Sequence, residues 1–123
     1  MTHEDMTLQK MGVTSIRVRQ IHRTRAIGDT DTTALLERHQ RGDWGEMKVE
    51  APGFNEFSIE NFHPNSYVVS EYREEPEDQS IMIFTALYTG RTVIFRRFEL
   101  SPLFMAEYLW ESLFISPEEL GGD

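Results

Sequence analysis

The sequence predicts an α+β fold: an antiparallel sheet of about four strands with two main helices packed on it. Three observations carry this. Between residues 66 and 98, three segments rich in β-branched and aromatic residues are separated by short polar turns, the pattern of a meander. Residues 32–41 hold an apolar patch and stop at Gly42, as helices do when the chain turns left-handed just past their end. Ser101-Pro102 then opens a last apolar run, with a capping hydroxyl and a proline at the first helical position. A length of 123 residues suits one domain, assigned to 12–123 after a loose polar arm over 1–11.

In chain order, residues 13–26 come first and read as extended. Ile16 and Val18 alternate with Arg17, Arg19, Arg23 and Arg25, interrupted by Ile21, so a half-buried strand is expected, with a break near Gln20. Thr30 or Asp31 is placed to cap the helix that follows. That helix carries Ala34, Leu35 and Leu36 on one side and Arg38 and Gln40 in solvent. Residues 45–64 show no clean period; Phe54, Phe57, Ile59 and Phe62 are spaced for a short helix or for a loop folded onto the core. Strands follow at 66–73, 80–88 and 91–98, joined by the charged turn 74–79 and by Thr89-Gly90. The middle strand is apolar on both faces and is expected to be buried on both. The final helix, 102–114, is apolar nearly all round, with Glu107 and Glu111 as its polar edge. Such a helix is either core or shared with a second chain. Phe104, Tyr108, Trp110 and Phe114 are therefore interface candidates for a homodimer. Ser116-Pro117-Glu118-Glu119 repeats the helix-start chemistry.

Composition excludes several classes. The chain has no cysteine, which removes disulfides, cysteine-based zinc sites, iron–sulfur clusters and thiol nucleophiles. The start is polar and acidic, without the basic and apolar regions of a signal peptide, and the longest apolar run is too short for a bilayer. A soluble, cytoplasmic protein with no membrane role is expected. The net charge is −9. Residues 1–50 balance eight Lys/Arg against eight Asp/Glu, whereas 51–123 hold four against thirteen. That half repels nucleic acid and favours basic partners.

One block looks like a signature: Leu35-Leu36-Glu37-Arg38-His39-Gln40-Arg41-Gly42-Asp43-Trp44-Gly45-Glu46. It resembles a motif, Arg-His-x-x-Gly-Asp-Trp-Gly, of short bacterial proteins carried on plasmids and other mobile elements, for which no activity is established. Their pattern is a helix ending in the motif, a short helical stretch and an antiparallel hairpin. The resemblance covers about residues 24–95; residues 47–62 and the final helix depart from it. It implies an accessory protein of a plasmid or phage that binds host or element-encoded machinery, with blocking of a defence nuclease as its sharpest form.

Two readings of the motif compete. In one, the glycines let the backbone turn, Asp43 accepts amides in that turn, and Trp44 folds over the helix end. In the other, His39, Asp43 and Glu46, with Arg41 and Trp44 beside them, form a polar binding site or the centre of a small enzyme. Arg41-Gly42-Asp43 matches an adhesion tripeptide, but that role needs secretion. The arginine row Arg17, Arg19, Arg23 and Arg25 fits either phosphates or the acidic half of the chain itself. His22, His39 and His63 have no ligand spacing, and the acids of 74–78 lack the calcium-loop pattern. Phosphate loops and the serine elbow are absent. No cofactor and no metal are expected. The leading expectation is a non-enzymatic protein-binding protein.

Overall fold

The computed structural model describes residues 15–114. The expected arm at 1–11 and the second helix start at 116–119 lie outside them. Four strands form one sheet: β1 (Arg19–Arg23), β2 (Tyr67–Tyr72), β3 (Ile81–Ala86) and β4 (Arg91–Arg96), in the order β1-β4-β3-β2. The meander is observed, with Tyr67 opposite Ala86 across β2 and β3, and Ile81 opposite Arg96 across β3 and β4. The architecture is α+β, and the expectation of a wholly antiparallel sheet is corrected at β1, which runs parallel to β4. Local pattern specifies that a segment is extended; it does not specify the neighbour. Here Arg19 N–H donates to Gly90 O at 2.6 Å and Thr24 N–H to Ile94 O at 3.1 Å, so both ends of β1 follow the direction of β4.

Side chains alternate across a strand, and both sets on β3 are buried. On one face Met82, Phe84 and Ala86 join Val69, Val93 and Phe95 beneath Leu109 and Leu113. On the other, Ile81 and Ile83 join Ile94 and Tyr72 beneath Ile27, with Leu35 and Leu36 of α1 (Thr33–Gln40) packed against them. Each fully buried large side chain of this kind stabilises the fold by roughly 1.5–3 kcal/mol.

Helix α1 starts later than its cap signal suggests: Thr32 precedes it without a side-chain cap, and Asp31 Oδ1 accepts from Thr33 N–H at 3.0 Å. Thr32 is buried and its hydroxyl accepts from Arg23 instead. The segment left open between helix and loop is a short helix, α2 (Phe54–Glu60). The last helix, α3 (102–113), begins at Ser101, whose Oγ accepts from Phe104 N–H at 3.0 Å. Its middle turn, Met105–Leu109, is a π-turn, a one-residue widening of the ordinary pitch.

Arg96 ties distant loops to the sheet. Its guanidinium donates to Ala26 O, Gln79 O, Glu74 Oε1 and Thr30 Oγ1, at 2.6 to 3.1 Å.

The outer edge of β2 is closed by groups that are not a strand. Glu71 N–H donates to Trp44 O at 2.9 Å and Glu71 O accepts from Glu46 N–H at 2.7 Å. At Val69 the buried amide of Asn55 does the same work, its Nδ2 donating to Val69 O at 2.7 Å and its Oδ1 accepting from Val69 N–H at 2.9 Å. Asn55→Ala strands both groups of a buried residue. With about 1–3 kcal/mol for each unsatisfied group, a loss of about 3 kcal/mol is expected in urea unfolding. A loss under about 1 kcal/mol would show that water replaces the amide.

Candidate functional site

The signature block is built from the end of α1 outward. Gly42, at φ 88°, terminates the helix. Its N–H donates to His39 O at 3.1 Å and the next N–H, of Asp43, donates to Arg38 O at 2.9 Å, the paired bonds of a Schellman stop. Asp43 then faces back along the helix. Arg38 Nε donates to Oδ2 at 2.6 Å and Nη2 to Oδ1 at 3.2 Å, while Gly45 N–H reaches Oδ1 at 3.2 Å. The Arg38 hydrogen bonds hold the Asp43 carboxyl below its usual range, against the opposing effect of burial. The same guanidinium sits 4.7 Å over the Tyr72 ring, and Tyr72 O–H donates to Asp43 O at 2.6 Å. Gly45, at φ 70°, lies against β2: a Cβ there would sit 2.2 Å from Glu71 O.

His39 is fully buried. Its Nδ1 is 2.6 Å from Ser70 Oγ and its Nε2 is 2.8 Å from Thr85 Oγ1. Thr85 Oγ1 is in turn 2.8 Å from Thr92 Oγ1, which donates to Gly90 O at 3.0 Å. The last bond orders the row. Thr92 spends its proton on Gly90, so it accepts from Thr85; Thr85 then accepts from His39 Nε2–H, and Nδ1 accepts from Ser70. Burial pushes the imidazole pKa down to about 3, so the ring is neutral. Trp44 stands edge-on to it, with ring centroids 5.8 Å apart, and its Nε1 donates to Glu56 Oε2 at 3.0 Å. Among the described residues no buried side-chain nitrogen or oxygen lacks a partner.

His39, Asp43 and Glu46 are therefore not brought into one polar site. His39 points into the sheet, Asp43 to Arg38, and Glu46 to solvent, 3.9 Å from Arg73. Arg41 is exposed at the helix end. His39 lies three and four residues beyond Leu36 and Leu35, on their apolar stripe, and that spacing is the signal for its burial.

The arginine row is split. Gln20, at φ 47°, marks a register step between Arg19 and Ile21. Arg19 pairs in register with Arg91, on the α3 side, and Arg23 with Ile94, on the α1 side. Arg23 donates to Thr30 O at 2.5 Å and Thr32 Oγ1 at 2.9 Å; Arg17 donates to Tyr88 O at 2.8 Å. Arg25 is exposed in the turn after β1. Of the interface candidates, Phe104, Trp110 and Phe114 pack against the chain's own core, and Tyr108 stays at the surface.

The structure instead opens a cleft of about 520 Å³ where α3, lying over β3 and β4, leaves β1 uncovered. Gln20, His22 and Arg91 line one side; Glu107, Tyr108 and Glu111 line the other. Sequence reasoning missed His22 and Arg91 there, because nothing local joins residues so far apart. No cluster of three or more His, Asp or Glu side chains among the described residues is arranged to hold a metal, and no described helix is long and apolar enough to cross a membrane. Comparison with protein families, with characterised proteins and with solved structures gives no match.

Proposed function

We propose that this chain works by stoichiometric, non-covalent binding to another protein, through an aromatic surface formed by Phe57, Phe62 and Tyr88. One observation carries the reading. These side chains are 64, 54 and 49% exposed, and the Phe62 and Tyr88 rings stack at 6.0 Å. They share one end of the molecule, where Leu87 N–H donates to Ser66 O at 3.0 Å. An adjoining groove of about 220 Å³ is lined by Phe54, Phe57 and Tyr67. Grouped aromatics in water mark a contact surface. The side chains of His39 and Asp43 are meanwhile engaged within the chain, which favours binding over catalysis at these two residues.

In the setting that the motif resemblance implies, the partner is a host or element-encoded protein, and inhibition of a nuclease is the sharpest form. Mimicry of DNA phosphates gains no support, because Glu71, Glu74, Glu75 and Glu77 are paired with Arg97, Arg96, Arg73 and Lys48.

The test is capture from host extract by wild type and by Phe57→Ser/Phe62→Ser, with unfolding midpoints measured for both. A one-to-one partner of the wild type is expected to bind the variant at least about thirtyfold more weakly, as for loss of an aromatic hot spot, at an unchanged midpoint. Equal capture by the two proteins removes this surface from consideration. A second reading is self-association through α3, favoured by Leu103 and Phe98, 64 and 53% exposed. It requires a dimer in sedimentation that Leu103→Glu converts to monomer.

A further inference from the structure

The two edges of the sheet are finished differently. The edge at β2 is occupied by Trp44, Glu46 and Asn55. The opposite edge is β1. Among the described residues no segment pairs with its outer side, and all five of its residues are exposed. We infer that this edge takes up an extended, acidic segment of another protein as a fifth strand, joined by main-chain hydrogen bonds and selected by its carboxylates. None of the three residues of the aromatic surface takes part, so the inference is independent of that surface.

Thr24 N–H turns inward, to Ile94 O. Successive peptide groups of a strand alternate in direction. His22 therefore also faces β4, and the N–H and C=O groups of Ile21 and Arg23 point away from the sheet. Both residues lie beyond the register step at Gln20, on the regular part of the strand. Unpaired edge groups of this kind are a template for one more strand.

The side chains decide which strand. Between Ser15 and Gly28 the sequence holds Arg17, Arg19, Arg23 and Arg25 and no acid, and all four arginines are exposed. Arg17 donates to Tyr88 O, and Arg23 donates to Thr30 O and Thr32 Oγ1. None of the four forms an ion pair with a described carboxylate; Asp31 acts on Arg23 from longer range. A second copy of the chain is a poor occupant. Antiparallel pairing of two copies centred on Ile21 sets Arg19 opposite Arg23 at both ends, and like charges directly opposite are destabilising. A neutral strand leaves the arginines without partners, whereas an acidic one turns them into charge-assisted contacts. The charges that guard the edge against general pairing thus become the basis of selection.

The experiment is an NMR titration of the full chain with a short peptide of alternating glutamate and valine. Its controls are the same peptide N-methylated at alternate amides, a lysine–valine counterpart and a short single-stranded DNA. Saturable one-to-one binding of the acidic peptide is expected, with slowed hydrogen exchange at the amides of Ile21 and Arg23 and little change at His22. N-methylation removes main-chain donors and keeps every carboxylate; it is expected to weaken binding at least about tenfold, as for loss of one well-made hydrogen bond. Arg19→Glu/Arg25→Glu is expected to weaken it at least about tenfold as well, through loss of charge-assisted contacts. Both side chains are exposed, so the fold should survive; Arg19→Gln/Arg25→Gln serves where the glutamate variant does not fold. Phe57→Ser/Phe62→Ser is expected to bind the peptide as wild type does, which separates this edge from the aromatic surface. No saturable binding of the acidic peptide, unchanged affinity after N-methylation or in the arginine variant, protection only outside β1, or tighter binding of the lysine peptide or the DNA overturns the proposal.

Discussion

Gly45→Ala is expected to destabilise the fold by about 4 kcal/mol, far beyond the usual effect of adding one methyl group at a surface loop. Two contributions combine. At φ 70° an alanine pays a backbone penalty of about 1 kcal/mol. The new Cβ would also sit 2.2 Å from Glu71 O and 2.8 Å from Tyr72 Cδ1, so the segment must move off β2. That movement breaks the bonds from Glu71 N–H to Trp44 O and from Glu46 N–H to Glu71 O, worth about 1–3 kcal/mol where a buried group is stranded. Gly53→Ala is the control. Its φ is 84°, but nothing lies within 4 Å of the added carbon, so only the backbone penalty applies. Urea midpoints of the two variants measure the difference directly. Equal losses would mean that the contact with β2 is relieved by a small shift and that the bridge matters little.

Acid is expected to weaken the fold well above the range where carboxylates titrate, and His39 is the cause. Buried as a neutral ring, it has a pKa of about 3 in the folded chain against 6.5 as a free group. Below pH 6.5 the unfolded chain takes up a proton that the folded chain refuses, so stability is complete above that pH and falls as pH drops towards 3. The full difference is roughly 5 kcal/mol, of which about 2.5 kcal/mol falls between pH 7.5 and 4.5. Asp43, whose pKa is lowered chiefly by Arg38, acts in the same direction but below that window. Unfolding free energies from pH 7.5 to 4.5 should therefore slope steeply in wild type and be nearly flat in His39→Gln. That variant should also be less stable at neutral pH, because an amide cannot span Ser70 and Thr85 as the ring does. A wild-type curve as flat as the variant's would show that the pocket admits a charged imidazole.

Much of the fold is legible in the residues because it rests on local signals. Gly42 stops α1, Ser101-Pro102 starts α3, and the short turns of the meander place β2, β3 and β4 in antiparallel order. The apolar character of β3 on both faces correctly implies a strand covered twice. What is not legible depends on partners far along the chain. The parallel pairing of β1 is set by contacts with Gly90 and Ile94. The break expected near Gln20 is there, but its form, a register step at a non-glycine residue with positive φ, is not visible in the alternation. The signature block shows the same division. Its glycines and aspartate behave as turn chemistry predicts, whereas the fate of His39 depends on hydroxyls supplied by three different strands. Those hydroxyls, Ser70, Thr85 and Thr92, each look like ordinary strand residues until the register aligns them.

Arg96 has an energetic meaning of its own. One side chain closes two loops, the turn around residues 26–30 and the connection at 74–79, that are far apart along the chain. Opening either loop leaves donors of one largely buried guanidinium, its side chain 12% exposed, without acceptors. Closing one loop therefore holds the side chain in the place from which it bonds the other.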